Sequence, residues 1–594
     1  MFPRPLLFSV LLTSIAAAAD RSPVVEVTDK PAKVENLGGG RFFVDFGEET
    51  FGNIRITSKD VPSGTKVRVH MGEKLSAPQT IDRKPGPSIR YQTQELALSP
   101  GVAASPALKW APPDWMKEGW LELQKGAGQV MPFRYVELEN MPASFTAEQI
   151  QRVSLQVPFD ENAAAFTSSS PELNAVWNLC KHSVKATSFM GLYVDGDRER
   201  KPYEADALIN QLSHYCLDAR YDTGRLTHEY LLEKPTWPTE WRLQSVILAW
   251  HDYLWSGDDT SLKKHYNELV GRAMVQQRTP EGLFQGWNKG DIRDIVDWPA
   301  VERDGYDMNP PVKTVVTAFH YRAVVLLAEI AGQLGKREDA AKFKAMAEAS
   351  YKAVNDTLWD ETKGCYVDGF DPATKNRSGH ASSHANFFPL ALGLVPAERM
   401  PRVAAFLKSR GMVCSVYGAQ FLLEALYDSG EAETALSLLT SNGLRSWRNM
   451  SEKVGATITL EAWDPSLKPN LDWNHAWATA PSNVIPRKLM GIDPLEPGFK
   501  RFQVKPQTAG LKEAKVKLPT PKGAIVLDIT GTSAADWKAK IVVPAGTAAE
   551  FECPFAGQPV VTGSANKTPS RVLRQEKGRS VVGLPPGTWV LALK

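Results

Sequence analysis

Cysteine, unbalanced charge and long apolar runs are all scarce in this 594-residue chain. Its five cysteines (Cys180, Cys216, Cys365, Cys414 and Cys553) are scattered, odd in number and never spaced C-x-x-C. That pattern implies neither a disulfide framework nor a zinc site, and the thiols read as small buried hydrophobes. The 69 Lys and Arg nearly cancel the 67 Asp and Glu, for a formal net charge of +2. Neither a nucleic acid nor an anionic membrane is therefore expected as a partner. No phosphate-cradling G-x-x-x-x-G-K-S/T, dinucleotide G-x-G-x-x-G or metalloprotease H-E-x-x-H motif occurs, so nucleotide and zinc-protease chemistries have no support; no cofactor or metal site is expected, a structural calcium in a β-domain being the one ion left open. The apolar run Leu6 to Ile15 follows Arg4 and precedes Ala17-Ala18-Ala19. It is too short to span a bilayer and reads as a signal peptide, residues 1–19, cleaved before Asp20. The residue directly after that cleavage point is not Cys, so no lipid anchor is expected, and the protein should be periplasmic or extracellular. Oligomeric state is not legible in the sequence.

What is present is tryptophan, 17 of them in a chain that is 43% apolar and 23% charged. Two to four domains are expected at this length. From Val24 to Phe145 the pattern is β: Arg41–Gly47 and Asn53–Thr57 alternate across a Gly-containing turn, and Thr65–Glu73 and Phe133–Glu139 add further strands. The Pro/Ser/Gly-rich insert Ser76–Trp120 reads as irregular. Ser170-Pro171-Glu172 then carries an N-cap, a proline at the first helical position and a first-turn acid. Helical spacing recurs from Leu173 through Leu439, with Gly, Pro and Asn between segments. Periodicity alone describes a large all-α domain. After Pro494 short alternating runs return, ending at Thr588–Leu593. The expected division is an N-terminal β-sandwich at 20–160, a helical domain at 161–496 and a C-terminal β-sandwich at 497–594.

Two stretches carry the chemistry. Asp195-Gly-Asp-Arg-Glu-Arg-Lys-Pro-Tyr-Glu-Ala-Asp206 packs five carboxylates and three cations into twelve residues, interleaved with Pro202, Tyr203 and Ala205. Acids and Arg crowded beside apolar walls push carboxyl pKa values apart. Some 260 residues on, Gly455-Ala-Thr-Ile-Thr-Leu-Glu461-Ala-Trp463-Asp ends an apolar run on a carboxylate flanked by Trp463 and Trp473, with Asn474 and His475 following. Two acids from distant parts of one domain are what glycoside hydrolysis needs.

Both motifs, in register, resemble the bacterial α-L-rhamnosidases of glycoside hydrolase family 78, and the order of parts agrees over nearly the whole mature chain. The resemblance implies an (α/α)6 barrel between the two β-sandwiches and an inverting hydrolase that releases terminal α-L-rhamnose. By position it makes Glu199 the general acid and Glu461 the base that activates water. Asp195 and Asp206 match acids that bind the rhamnose hydroxyls, although Asp195 stands closer to Glu199 than is usual and Asp197 is its alternative. Tyr203 replaces a family Trp, while Trp241, Asp297-Trp298, Trp463 and His475 fall where the sugar pocket is lined, with Arg198 beside the acid. Because cations favour an ionised acid, Arg198 and Arg200 are expected to point away from Glu199 or to be neutralised by Asp195, Asp197 and Asp206. Other classes remain open on the residues alone: a catalytically idle carbohydrate-binding toroid, a hydrolase of another α-linked deoxysugar, and a uronate lyase.

Overall fold

The computed structural model describes residues 20–116, 119–286, 292–565 and 570–594; the expected signal peptide lies outside them. The N-terminal part is one seven-stranded sheet of Val25–Asp29, Lys33–Gly38, Arg41–Ile56, Thr65–Gly72, Tyr91–Leu98, Met131–Glu139 and Ile150–Gln156. The two runs expected on either side of a turn are a single sixteen-residue strand, Arg41–Ile56. Its antiparallel register with Met131–Glu139 shifts between Asp45 and Thr50, so Gly47 (φ +83°) belongs to a bulge rather than a hairpin. The bulge carries buried Glu49 towards the helical domain, where Glu49 N–H donates to Thr457 Oγ1 (2.8 Å). The insert expected to be irregular holds Tyr91–Leu98, paired along its length with Thr65–Gly72. Polar Gln and Thr mask its alternation, and only Leu96 and Leu98 are buried.

Thirteen α-helices follow among the described residues: α1 (Pro171–Ala186), α2 (Glu204–Leu217), α3 (Asp222–Glu233), α4 (Thr239–Ser256), α5 (Thr260–Lys264), α6 (Tyr266–Arg272), α7 (Thr314–Gln333), α8 (Arg337–Thr357), α9 (His384–Ala391), α10 (Met400–Arg410), α11 (Val416–Asp428), α12 (Ala432–Leu439) and α13 (Ala480–Val484). Ser170 Oγ caps α1 by accepting from Leu173 N–H (3.2 Å), as its sequence predicts. Contacts run α2 to α4, α4 to α7, α7 to α9, α9 to α11, α11 to α13 and α13 back to α2, closing a ring. Ring helices are buried nearly all round, α2 along its whole length. The outer helices bury a stripe; α8 buries only Phe343, Ala347, Ser350, Ala353, Val354 and Asn355. Helix α7 is long and apolar enough by composition to cross a bilayer, but it is a mostly buried member of the ring.

The C-terminal part holds a six-stranded and a five-stranded sheet, with the Trp537 and Phe551 rings meeting at a tilt, 6.0 Å apart, in the core they share. Ala165–Ser168, which leads into α1, pairs with Glu513–Leu518 and so joins the C-terminal sheet.

Candidate active site

The charged stretch is the connection from α1 to α2, and it is buried despite its charge: Asp195 is 3%, Asp197 1%, Glu199 7% and Arg200 1% exposed. Backbone geometry makes this possible. Asp195 N–H donates to Lys201 O (3.0 Å) and Lys201 N–H returns to Asp195 Oδ1 (3.1 Å), closing a tight loop. Gly196 sits at φ +113°, and a Cβ there would lie 2.9 Å from Asn474 O and 3.0 Å from Asp472 Oδ2. Only glycine fits. Asp197 points away from the cavity, accepting from Arg200 Nη2 (2.7 Å) and pairing with Arg90 of the N-terminal sheet. Burial would raise its pKa, but the two guanidiniums hold it below the usual carboxylate range. Asp197 is therefore an anchor and does not share the role expected of Asp195.

The second stretch is an irregular loop before α13. Glu461 N–H donates to Asp472 O (3.0 Å), and Asp472 N–H donates to Glu461 Oε2 (3.0 Å). Trp477 Nε1 binds the Glu461 carbonyl (2.9 Å), fixing the backbone that presents this carboxylate.

The two stretches meet at the N-terminal ends of α2 and α4, around a cavity of about 260 Å³. Asp195, Arg198, Glu199, Tyr203, Asp206, Trp241, Trp298, Glu461 and His475 all line it, so nine of the expected residues are brought together. Arg198 spans the site. Its Nη1 and Nη2 donate to Glu461 Oε2 and Oε1 (3.1 Å each), and Nη2 also donates to Glu199 Oε1 (3.0 Å). Tyr203 Oη donates to Glu199 Oε2 (2.7 Å). Half of the expectation for the flanking cations thus holds: Arg200 turns away, while Arg198 binds both acids. Burial alone would raise Glu461, but Arg198, His475 and Lys468 (Nζ 3.2 Å away) bring it down to about 2. Asp195 goes the other way, pushed well above the carboxylate range by burial and by the neighbouring Glu199 charge. Asp206, in the first turn of α2, meets His475 Nε2 at 2.5 Å; burial raises it against the pull of that ring. His475 stacks on Trp477 at 4.9 Å, and Trp241 meets Tyr203 (5.8 Å) and Trp477 (6.3 Å) edge to face.

Asp297 and Trp463 are not brought to the cavity. The Asp297 carboxylate is fully buried and committed to Ser415 N–H (3.0 Å), His384 Nε2 (2.7 Å) and Trp298 N–H (2.8 Å), so it positions the loop that carries Trp298. Trp463 lies in the core with its Nε1 on Cys414 O (2.7 Å) and its ring against Trp447. Trp473 also lies outside the cavity, under Lys74, so the wall expected around Glu461 comes from other tryptophans. These are Trp237, Trp477 and Trp115, joined by Ile295, Lys468 and Asn470. Trp237 lies four positions before Trp241, just ahead of the α4 N-cap Pro238, and Trp477 follows His475 by two, so both stand beside residues the sequence had singled out. Nothing local marks Lys468 or Trp115.

Glu461, Asp472 and His475 offer ligand atoms within 4.8 Å of one another. Arg198 and Lys468 already neutralise this cluster, and burial pushes Asp472 up to about 8, so it carries its proton at neutral pH. That leaves little charge for a metal ion.

Comparison with known proteins follows this geometry. The model of the bacterial α-L-rhamnosidase six-hairpin glycosidase domain matches residues 161–489. Models of the bacterial α-L-rhamnosidase concanavalin-like and C-terminal domains match 35–156 and 491–567. Two curated relatives from Formosa agariphila, each named α-L-rhamnosidase, are 24% and 22% identical over 78% and 84% of this chain. They are covered over 52% and 54% of their own lengths, so the chain spans about half the length of the curated relatives it matches. The α-L-rhamnosidase structure from Dictyoglumus thermophilum superposes with a TM-score of 0.77 over 96% of this chain and 64% of its own, at 19% identity. That of the Streptomyces avermitilis α-L-rhamnosidase complexed with L-rhamnose gives 0.74 over 97% and 54%, at 18% identity.

Proposed function

The chain belongs to the bacterial α-L-rhamnosidases built on a six-hairpin glycosidase domain, and from that premise we propose that it is an exported glycosidase releasing terminal α-L-rhamnose with inversion. The closed ring of six helices is read as the inner layer of an (α/α)6 barrel. The observation that carries the proposal is the single guanidinium of Arg198 held between Glu199 and Glu461, two carboxylates 262 positions apart in sequence, at the floor of a tryptophan-walled cavity. Nη2 donates to both, so the acids are separated by a bridging group and are not in contact. Inverting pairs leave room for a water, with carboxyl groups ~6.5–9.5 Å apart; here the shared donor holds the nearest oxygens within two hydrogen-bond lengths, so that room opens only as Arg198 withdraws, and inversion rests on the family resemblance.

Glu199 protonates the glycosidic oxygen, and Glu461 takes a proton from a water on the opposite face of the ring. Glu461 at about 2 is too weak a base for this while Arg198 grips both its oxygens. The sugar must therefore draw Arg198 off at least one of them, and the base strengthens as it does. Asp195, whose carboxyl holds its proton more tightly than an ordinary aspartate, and Asp206, oriented by His475, hydrogen-bond the sugar hydroxyls. Trp241 and Trp298 face the C5 methyl group.

Purified protein should release nitrophenol from p-nitrophenyl α-L-rhamnopyranoside and turn over the α-L-fucoside far more slowly. Equal or better turnover of the fucoside would reassign the sugar, and no release from any glycoside would favour a binding role. Export is checked by sequencing the mature N-terminus, expected at Asp20.

A further inference from the structure

Trp115 is the most exposed of the large apolar side chains described, at 62%, and it lines the same cavity as Glu199. It comes from the N-terminal part of the chain, outside the helical ring. The segment bearing it is fastened to the loop that carries the acid. Trp110 Nε1 donates to Asp197 O (2.8 Å), the Arg200 guanidinium lies 4.4 Å over the Trp110 ring, and Leu121 N–H donates to Arg200 O (2.9 Å). Trp115 therefore stands on the acid side of the cavity mouth. In glycoside hydrolysis the acid faces the departing oxygen, so a ring on that side faces the leaving group and not the sugar being released.

We infer that Trp115 is the platform of a leaving-group subsite that takes a flat aryl aglycone; this rests on the glycosidase reading above. The choice of an aryl ring over a second sugar comes from the polar groups at the mouth. A pyranose needs hydrogen bonds to fix its hydroxyls as well as a face to stack on. Several of the polar groups nearby are already engaged within the protein: Asn470 O accepts from Arg198 Nη1 (2.7 Å) and from Ser88 Oγ (2.7 Å), Asn470 Oδ1 accepts from Lys468 Nζ (3.0 Å), and Lys468 also pairs with Glu461. What the mouth offers outward is ring surface: Trp115, and Trp298 at 38% exposed. Aromatic pairs gain ~0.5–1.5 kcal/mol beyond their buried area, which corresponds to severalfold to about tenfold in binding.

The test compares 2-phenylethyl with ethyl α-L-rhamnopyranoside, whose leaving alcohols are equally poor, so that only the ring differs. The ratio of their kcat/KM values should fall about tenfold in Trp115→Ala and be largely restored in Trp115→Phe. An unchanged ratio overturns the inference, whether both rates fall together or neither does. A rhamnosyl-glucose disaccharide supplies the third arm; a loss confined to it would replace the aryl ligand by a sugar and equally overturn the inference. If the parent hydrolyses none of the three, the glycosidase reading has failed, and the platform is then judged on its own. Saturation-transfer NMR with 2-naphthylmethanol alone should show ring contact in the parent and its loss in Trp115→Ala, and no contact in the parent would overturn it.

Discussion

At the residue scale, Arg198 decides the state of the site. Its guanidinium donates to both Glu199 and Glu461, and it does more than His475 or Lys468 to lower the Glu461 pKa. Replacing it by Met should raise the Glu461 pKa, since only His475 and Lys468 then oppose burial. The acidic limb of the kcat/KM profile should move to higher pH while the maximum falls; a profile unmoved on its acid side would contradict the account. Glu461 also links to stability. Its folded pKa of about 2 lies below the ordinary glutamate value of 4.5, so its contribution is present above about 4.5 and lost as pH falls towards 2. Glu49 has the opposite sign. Burial pushes it up to about 8, so its contribution is complete below about 4.5 and is lost as pH rises through 8. Glu49→Gln should therefore flatten the decline in Tm between about pH 5 and 8, as read by thermal denaturation. A decline as steep as the parent's would assign it to other groups, of which Asp472 is the first candidate.

At the element scale, the connection from α1 to α2 is a charged loop held rigid from beneath. Asp197 and Arg200 are each 1% exposed, and Arg90 reaches them from another sheet. Breaking a buried pair leaves an uncompensated charge, at a cost of about 3–5 kcal/mol. Asp197→Ala should lose stability of that order in urea denaturation, whereas a change below ~1 kcal/mol would mean that the loop is held by its backbone alone. Much of this element was legible in the sequence. The spacing of Asp195, Arg198, Glu199, Tyr203 and Asp206 located the cavity floor, and Ser170-Pro171 located the helix that leads to it. What was not legible is direction. Asp197 and Arg200 carry the same charges as Asp195 and Arg198; the turn at Gly196 (φ +113°) parts Asp197 from Asp195, and the left-handed backbone of Arg200 (φ +47°) parts it from Arg198. Trp463 shows the same limit: two residues from Glu461, it turns into the core because Cys414 O accepts its indole N–H. The helix α9, short and containing Pro389, and the strand Tyr91–Leu98, rich in Gln and Thr, escaped because their periodicity is broken or polar.

At the scale of the whole molecule, the three parts are built through one another. Glu73 accepts from Asn474 Nδ2 (2.8 Å), Ser88 holds Asn470, and Glu49 O meets His182 Nε2 of α1 (2.7 Å), so the N-terminal part underlies the second cavity loop and the helix that leads to the first. Ala165–Ser168 is stitched into the C-terminal sheet ahead of α1. Neither pairing has a sequence signature, because each joins residues hundreds of positions apart. A chain lacking residues 20–156 would expose Asp197 and Arg200 without Arg90, and it should be inactive and poorly soluble. An active, soluble truncated chain would show the sheet to be dispensable. The central claim is that Glu461 activates a water across the ring from Glu199. It is tested most directly by following the hydrolysis of an α-L-rhamnoside by proton NMR in the parent and in Glu461→Gln. The account predicts β-L-rhamnose as the first-formed product and a loss on the order of 10²-fold or more in the variant. First-formed α-L-rhamnose, or a variant as active as the parent, would contradict it.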